Sequence, residues 1–476
     1  MVGAQKSNRC DTCRKRKIKC DEDWPVCGQC KRSNRTCPPR SALKVVDEGV
    51  KLRSTGSSSD GEDGSSNTSL VVPHVNRRGK SPRVNSPISL PLTPAEQLAF
   101  DLVDSLKADD KSYSLNVIGE FVRDVPRHIG RSEALDSVTA CMLVTHKHIL
   151  SGRPNNWQIH PRLYSTALQN VRCALVDPQN WASAVTLCAT VLLHRIEALY
   201  GILPNTNIEV HAAGLAALHR KRGPPKSGDR LDIQATVDSH ISIIQHAINE
   251  HEDCFLASPK WAVVLDERNG RSDVQMIYYR LVRLMTLWPT LVRENSALRK
   301  GDLTIDREVA LEKCLHVLEE LSHIGCEVDD LLDSEKFIKV KPTTNKLDFV
   351  PMMFDVKDRL AAMLVAHYAM YSVIVHRLVL SHLRVLRRRH DTGLMEQELL
   401  RQCRRIWMLT EYSLAYKPMG LPIMSAILLL TYDLAEGPAA QDRIIGIVHE
   451  LDDFRSMERF IDADKIRRGI APLIGM

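Results

Sequence analysis

Six cysteines between Cys10 and Cys37 constrain this chain more than any other stretch of it. They fall as C-x2-C-x6-C, a gap of six residues, and C-x2-C-x6-C again, at positions 10, 13, 20, 27, 30 and 37. A C-x2-C pair lets two thiolates converge on one tetrahedral zinc. Two tetrahedral ions need about eight ligand positions, and six sulfurs fill eight only if two of them serve both ions. The internal repeat nominates Cys10 and Cys27, which hold equivalent places in the two halves, as the bridges. Two readings compete with this one. A single ribbon of Cys10, Cys13, Cys27 and Cys30 leaves the matched spacings of Cys20 and Cys37 unexplained. Disulfides would require an oxidising compartment, and residues 2–9, VGAQKSNR, show no apolar leader core.

The expectation is therefore two zinc ions per chain. They would be structural, because sulfur fills every ligand position and none is left open for chemistry. Only Ile18, Trp24 and Val26 are large apolar residues in this stretch. Metal must then supply most of the folding free energy, on the order of 10 kcal/mol per structural zinc.

Charge is concentrated in the same place. Residues 1–40 carry eleven Lys or Arg against four acids, while the whole chain has a net charge of only +6. The rest is thus close to neutral, and a polyanion should bind at the N-terminal module. Arg14, Lys15, Arg16, Lys17 and Lys19 lie between the second and third cysteines, where a short helix is expected to run and to enter a DNA major groove by its end.

Cys13-Arg14, Arg16-Lys17 and Lys19-Cys20, with the six cysteines, resemble the DNA-binding domain of the fungal binuclear zinc cluster transcription factors. The resemblance covers residues 10–37 and implies two short helices around a binuclear zinc-thiolate cluster. It implies that Lys17 reads a CGG-type triplet of double-stranded DNA with Arg16 beside it. Arg14, Lys19, Lys31 and Arg32 are then better placed for phosphates, which position the module without reading sequence. Pro25 matches a proline that precedes the family's fourth cysteine. A sequence-specific regulator of RNA polymerase II genes, located in the nucleus, is the function implied.

Three regions are expected: the zinc module at 1–40, a disordered linker at 41–92, and an all-α regulatory domain at 93–476. Ten of the sixteen residues from Ser54 to Ser69 are Ser or Gly, which is linker composition. Leu43, Val46 and Val50 fit a heptad, but the pattern ends short of the roughly 3 heptads a coiled coil needs. Dimerisation, if any, is then expected through the body. Ser81, Ser86 and Thr93 each precede a proline, as candidates for phosphorylation in an extended linker. Thr93, Pro94 and Glu96 also make a capping box, and helical periodicity follows almost to the end, with long stretches at 303–323, 357–389 and 394–416.

YSTALQNVRCALVDP, the apolar stretch ending at Gly201, and HAAGLAALHRKRGP from His211 resemble the helical regulatory domain of the same fungal factors, a platform for coregulators. The seven cysteines outside the module read as buried thiols. The longest apolar runs, Ala184–Leu193 and Ile423–Leu430, fall short of a membrane span. His146 with His148, His211 with His219, and His251 to Cys254 are the conspicuous polar groupings. None has the H-E-x-x-H spacing, and no G-x-G-x-x-G or G-x-S-x-G occurs. The chain does not read as an enzyme. The runner-up reading is a ligand-binding or enzymatic helical body localised to DNA by the zinc module.

Overall fold

Each half of the cysteine repeat folds into the same local unit. In the computed structural model, α1 (Asp11–Lys15) and α2 (Gly28–Arg32) each follow the first cysteine of their half. The Cys10 sulfur accepts a hydrogen bond from the Cys13 N–H at 3.4 Å, and the Cys27 sulfur accepts one from the Cys30 N–H at 3.4 Å. Both helices stop in the same way. Lys17 (φ 55°) and Asn34 (φ 47°) turn left-handed, and Ile18 and Arg35 donate back to the carbonyls of Cys13 and Cys30 at 3.2 and 3.0 Å. These are paired Schellman-type caps.

The structure describes residues 10–21, 27–37, 92–107, 114–150, 159–201, 206–266, 270–344, 350–388, 392–417, 420–453 and 463–475. The expected linker as far as residue 91, its heptad fragment, Ser81, Ser86, Trp24, Pro25 and Val26 lie outside them. The chain divides into two units, Met1–Pro87 and Ile88–Met476, and each is taken by itself.

In the second unit Thr93 caps α3 (Pro94–Leu106). Its hydroxyl accepts from the Glu96 N–H at 3.2 Å, while Glu96 accepts from the Thr93 N–H at 2.8 Å. Thr93 is thus a helix cap. It leads into α4 (Glu133–Leu150), α5 (Pro161–Val176), α6 (Ala184–Tyr200), α7 (Thr206–Arg222) and α8 (Arg230–Asn249). Leu102, Phe121, Leu135, Met142, Leu187, Leu192, Ile196 and Leu215 fill the core between them.

A second core surrounds one long helix. After α9 (Pro259–Asp266), α10 (Asp273–Met285), α11 (Trp288–Arg299) and α12 (Arg307–Asp333) comes α13 (Arg359–Val385). It packs against α10, α11 and α12, and against α14 (Thr392–Met408) and α16 (Met424–Leu430) beyond α15 (Thr410–Ala415). The α13 helix is long and apolar enough to cross a membrane by length and composition, which the sequence reading placed in no segment. Yet 83% of its most apolar window is buried inside the body, so packing accounts for its composition. The last helices are α17 (Gly437–Leu451) and α18 (Ala463–Ile470).

The body is mostly helical, with one departure among the described residues. β1 (Ile338–Pro342) pairs antiparallel with β2 (Met352–Val356), Ile338 opposite Val356 and Val340 opposite Phe354. Ile338, Phe354 and Val356 are buried against the large core, giving β2 the alternation of a half-buried strand, while β1 is buried at Ile338 alone. Of the cysteines outside the module, Cys141, Cys188, Cys254, Cys314 and Cys403 are buried. Cys173 and Cys326 are exposed, on outward positions of α5 and α12, because a thiol on a helix follows the face its register assigns.

Candidate metal centre and nucleic-acid interface

The six sulfurs converge. Cys10 Sγ lies 3.8 Å from Cys27 Sγ and 3.7 Å from Cys30 Sγ, and Cys13 Sγ lies 3.7 Å from Cys27 Sγ. These separations are far too long for disulfides, whose sulfurs are bonded at about 2.05 Å. A tetrahedral zinc with bonds of ~2.3 Å has sulfur–sulfur edges of roughly 3.8 Å, and the observed spacings fit that edge. Two sets of four ligand atoms each lie within 4.8 Å of one another: Cys10, Cys13, Cys20, Cys27 and Cys10, Cys27, Cys30, Cys37. Cys10 and Cys27 are common to both.

Electrostatics agree with a cation at this place. Burial, reinforced by the neighbouring Cys27 and Cys10 thiols, pushes the Cys30 thiol up to about 12, and burial likewise raises Cys13. The two shared cysteines behave differently: the backbone N–H of Cys13 lowers Cys10, and that of Cys30 lowers Cys27. Crowded thiols that resist ionisation alone become thiolates when a metal supplies the compensating charge. Six clustered cysteines form a binuclear Zn2Cys6 site.

Two further contacts tie the halves together, and neither was legible in the cysteine spacing. The Asp21 carboxylate accepts from the Gly28 N–H at 3.1 Å, across the gap between the repeats. A Cβ on Gly28 would stand 2.4 Å from an Asp21 oxygen, so the glycine makes room for that carboxylate. The Thr12 hydroxyl donates to the Thr36 carbonyl at 2.8 Å. The available signal was positional: Asp21 follows the third cysteine and Gly28 the fourth.

The basic residues are placed differently from the sequence expectation in one respect. The helix α1 begins after the first cysteine, not after the second, and ends at Lys15. Arg16, Lys17 and Lys19 therefore lie on its cap and the segment beyond. The cause is the Cys10 sulfur, which starts the helix early, and the left-handed turn at Lys17, which stops it. Arg16, Lys17, Lys19, Lys31 and Arg32 are all exposed, and among the described residues none is ion-paired. Arg14 lies within α1, and its side chain is outside what is described.

The polar groupings of the body stay separate. His146 Nδ1 meets the Tyr200 hydroxyl at 3.0 Å, and His211 Nδ1 lies 2.6 Å from buried Glu197. His219 packs edge-on against Trp261, and Asp253 receives Thr290 and Arg293. At the end of α13, Arg388 pairs with Glu308 and Arg384 with Glu396.

Residues 9–44 match the family model of the fungal Zn(2)-Cys(6) binuclear cluster domain. A curated relative, a transcription activator named AMTR1 from Alternaria alternata, is 41% identical over 61 residues. That alignment covers 13% of this chain and only 7% of the relative. No solved structure matches the chain. The N-terminus is thus a Zn(2)-Cys(6) binuclear cluster domain, followed by a large helical region.

Proposed function

We propose that this chain is a nuclear, sequence-specific regulator of RNA polymerase II transcription that reads CGG-type triplets in double-stranded DNA. The observation carrying this reading is the pair of four-thiol sets flanked by the exposed cations Arg16, Lys17, Lys19, Lys31 and Arg32. A surface fixed by metal and rich in exposed cations suits a phosphate backbone. In this reading Cys10 and Cys27 bridge the two zinc ions, and their N–H···S bonds orient both sulfurs.

Lys17 makes the base contact with Arg16 beside it, because the left-handed turn carries its exposed side chain past the end of α1. Lysine donating to guanine O6 and N7 is a sound major-groove contact. Arg14, Lys19, Lys31 and Arg32 hold phosphates. Residues 93–476 serve as a non-enzymatic regulatory domain of the fungal type that engages coregulators and supports any homodimer. Bringing the activity named for AMTR1 to this chain rests on the cluster region alone.

Binding-site selection from random DNA with the zinc-loaded full chain tests the proposal. Enrichment of CGG triplets that vanishes with chelator is the expected result. Binding that ranks all sequences equally at physiological salt would overturn it.

A further inference from the structure

The body holds a cavity of about 310 Å³ where its two cores meet, and the lining is balanced in charge. Three arginines, Arg123, Arg195 and Arg359, share it with three carboxylates, Glu120, Asp238 and Asp358. These groups are committed to the protein. Glu120 pairs with Arg123 at 3.2 Å and Asp238 stands 4.0 Å from Arg195, while Arg359 donates to the carbonyls of Asn116 and Val117 at 2.7 and 2.9 Å. The two helices that begin at the cavity, α10 and α13, are capped by Ser272 and Asp358. An ion entering here would lose its hydration with no counter-charge to receive it, so the space suits a neutral molecule.

His367 supplies an open acceptor. It sits on α13, is 2% exposed and lines the cavity. Its Nδ1 meets the Met363 carbonyl at 3.0 Å; a carbonyl only accepts, so Nδ1 carries the proton and Nε2 offers a lone pair. Burial pushes the imidazole down to about 4, which keeps it neutral at physiological pH. In His219, His240 and His382 an unpartnered ring nitrogen is sealed from solvent. His367 Nε2 is not sealed in that way, and none of the described residues bonds to it. Met363 stands one turn before it, and Tyr278 meets the imidazole edge-on at 5.7 Å. Ile241 and Leu360 line the same space. An acceptor among apolar and aromatic walls fits a ligand with one strong donor on a flat apolar skeleton.

We propose that this cavity binds a neutral phenol, its hydroxyl donating to His367 Nε2 and its ring packed on Met363, Tyr278 and Ile241. A phenol hydroxyl donates more strongly than that of an alcohol, yet it stays protonated at neutral pH because its pKa lies near ~10. The Met363 thioether and the Tyr278 ring are suited to an aromatic neighbour. The volume sits at the small end of the ~300–1,000 Å³ range of ligand pockets.

The test is thermal melting and calorimetry on the zinc-loaded full chain without DNA, so that it stands apart from the triplet reading. The probes are phenol, cresol and naphthol, their methyl ethers, and naphthoate. At least one phenol should raise the melting temperature saturably. Its ether, which keeps the ring and loses the donor, should bind about tenfold more weakly or worse. His367→Phe should bring the phenol down to the affinity of its ether, while His367→Gln, whose amide oxygen takes the place of Nε2, should restore part of the difference. Met363→Phe narrows the same space, keeps His367 and should weaken every phenol, so a folding failure in one variant leaves the other and the ether comparison to decide. Absence of a saturable shift with every phenol, equal affinity of the ether, tighter binding of naphthoate, or unchanged binding in His367→Phe or Met363→Phe would each overturn the proposal.

Discussion

Lys17 holds a left-handed backbone at φ 55°, a conformation that costs a residue with a Cβ roughly 1–2 kcal/mol. Backbone and side chain can therefore be separated there. Lys17→Ala should weaken a CGG-containing site by ~1–3 kcal/mol while general DNA affinity changes little, read from titrations on matched and scrambled duplexes. Lys17→Gly should lose the same discrimination yet keep the zinc module at least as stable, because glycine relieves the turn. Equal losses on all sequences would remove Lys17 from the base-reading role. Gly28→Ala should displace the Asp21 carboxylate and cost about 1 kcal/mol, seen as zinc release at lower chelator concentration with two zinc still bound at the start. The six thiols were legible because ligand spacing is rigid and repeated. Asp21 and Gly28 were not, since one polar contact across a gap leaves no periodic trace.

At the scale of single elements, chain order encoded the caps better than the boundaries. Thr93, Pro94 and Glu96 were readable as a helix start because each has a distinct task in the first turn. Thr93→Ala should lower body stability by ~1 kcal/mol, measured by thermal melting of the helical circular-dichroism signal. The placement of α1 was less readable: a run of Arg and Lys has good helix propensity, and its stop at Lys17 lacks the glycine that usually marks such a turn. The β1–β2 pair escaped for a related reason. Five residues per strand give too few alternations to stand out against helical periodicity on both sides. In the zinc module, elements and metal are one event. Cys27→Ala removes the cap of α2 and a sulfur common to both four-thiol sets, so zinc content should fall from two to below one per chain by atomic absorption; two retained ions would defeat the bridging role.

Across the whole molecule, charge separates the module from the body, and the salt response should follow. Four phosphate contacts give a slope of roughly −4 in log affinity against log salt, a value that mutations in the body should leave alone. Acid acts on the module, where protons compete with zinc for the thiolates, and on the body as well. Burial lowers His219 to about 3 and His240 and His367 to about 4, from an ordinary 6.5. The unfolded chain takes up protons on these groups first, so their stabilising contribution is complete above 6.5 and is lost as pH falls toward 4. Asp238 and Asp136, raised by burial, oppose this, but the buried histidines outnumber them once His194 and His382 are included, so the helical melting temperature should drop between these limits. The α13 helix has a practical consequence. Since its neighbours reach from Asp273 to Leu430, truncations ending anywhere in that interval remove the axle or what encloses it. Deletion mapping there would chart where the chain stops folding, and surface point substitutions are the tool for locating where it acts.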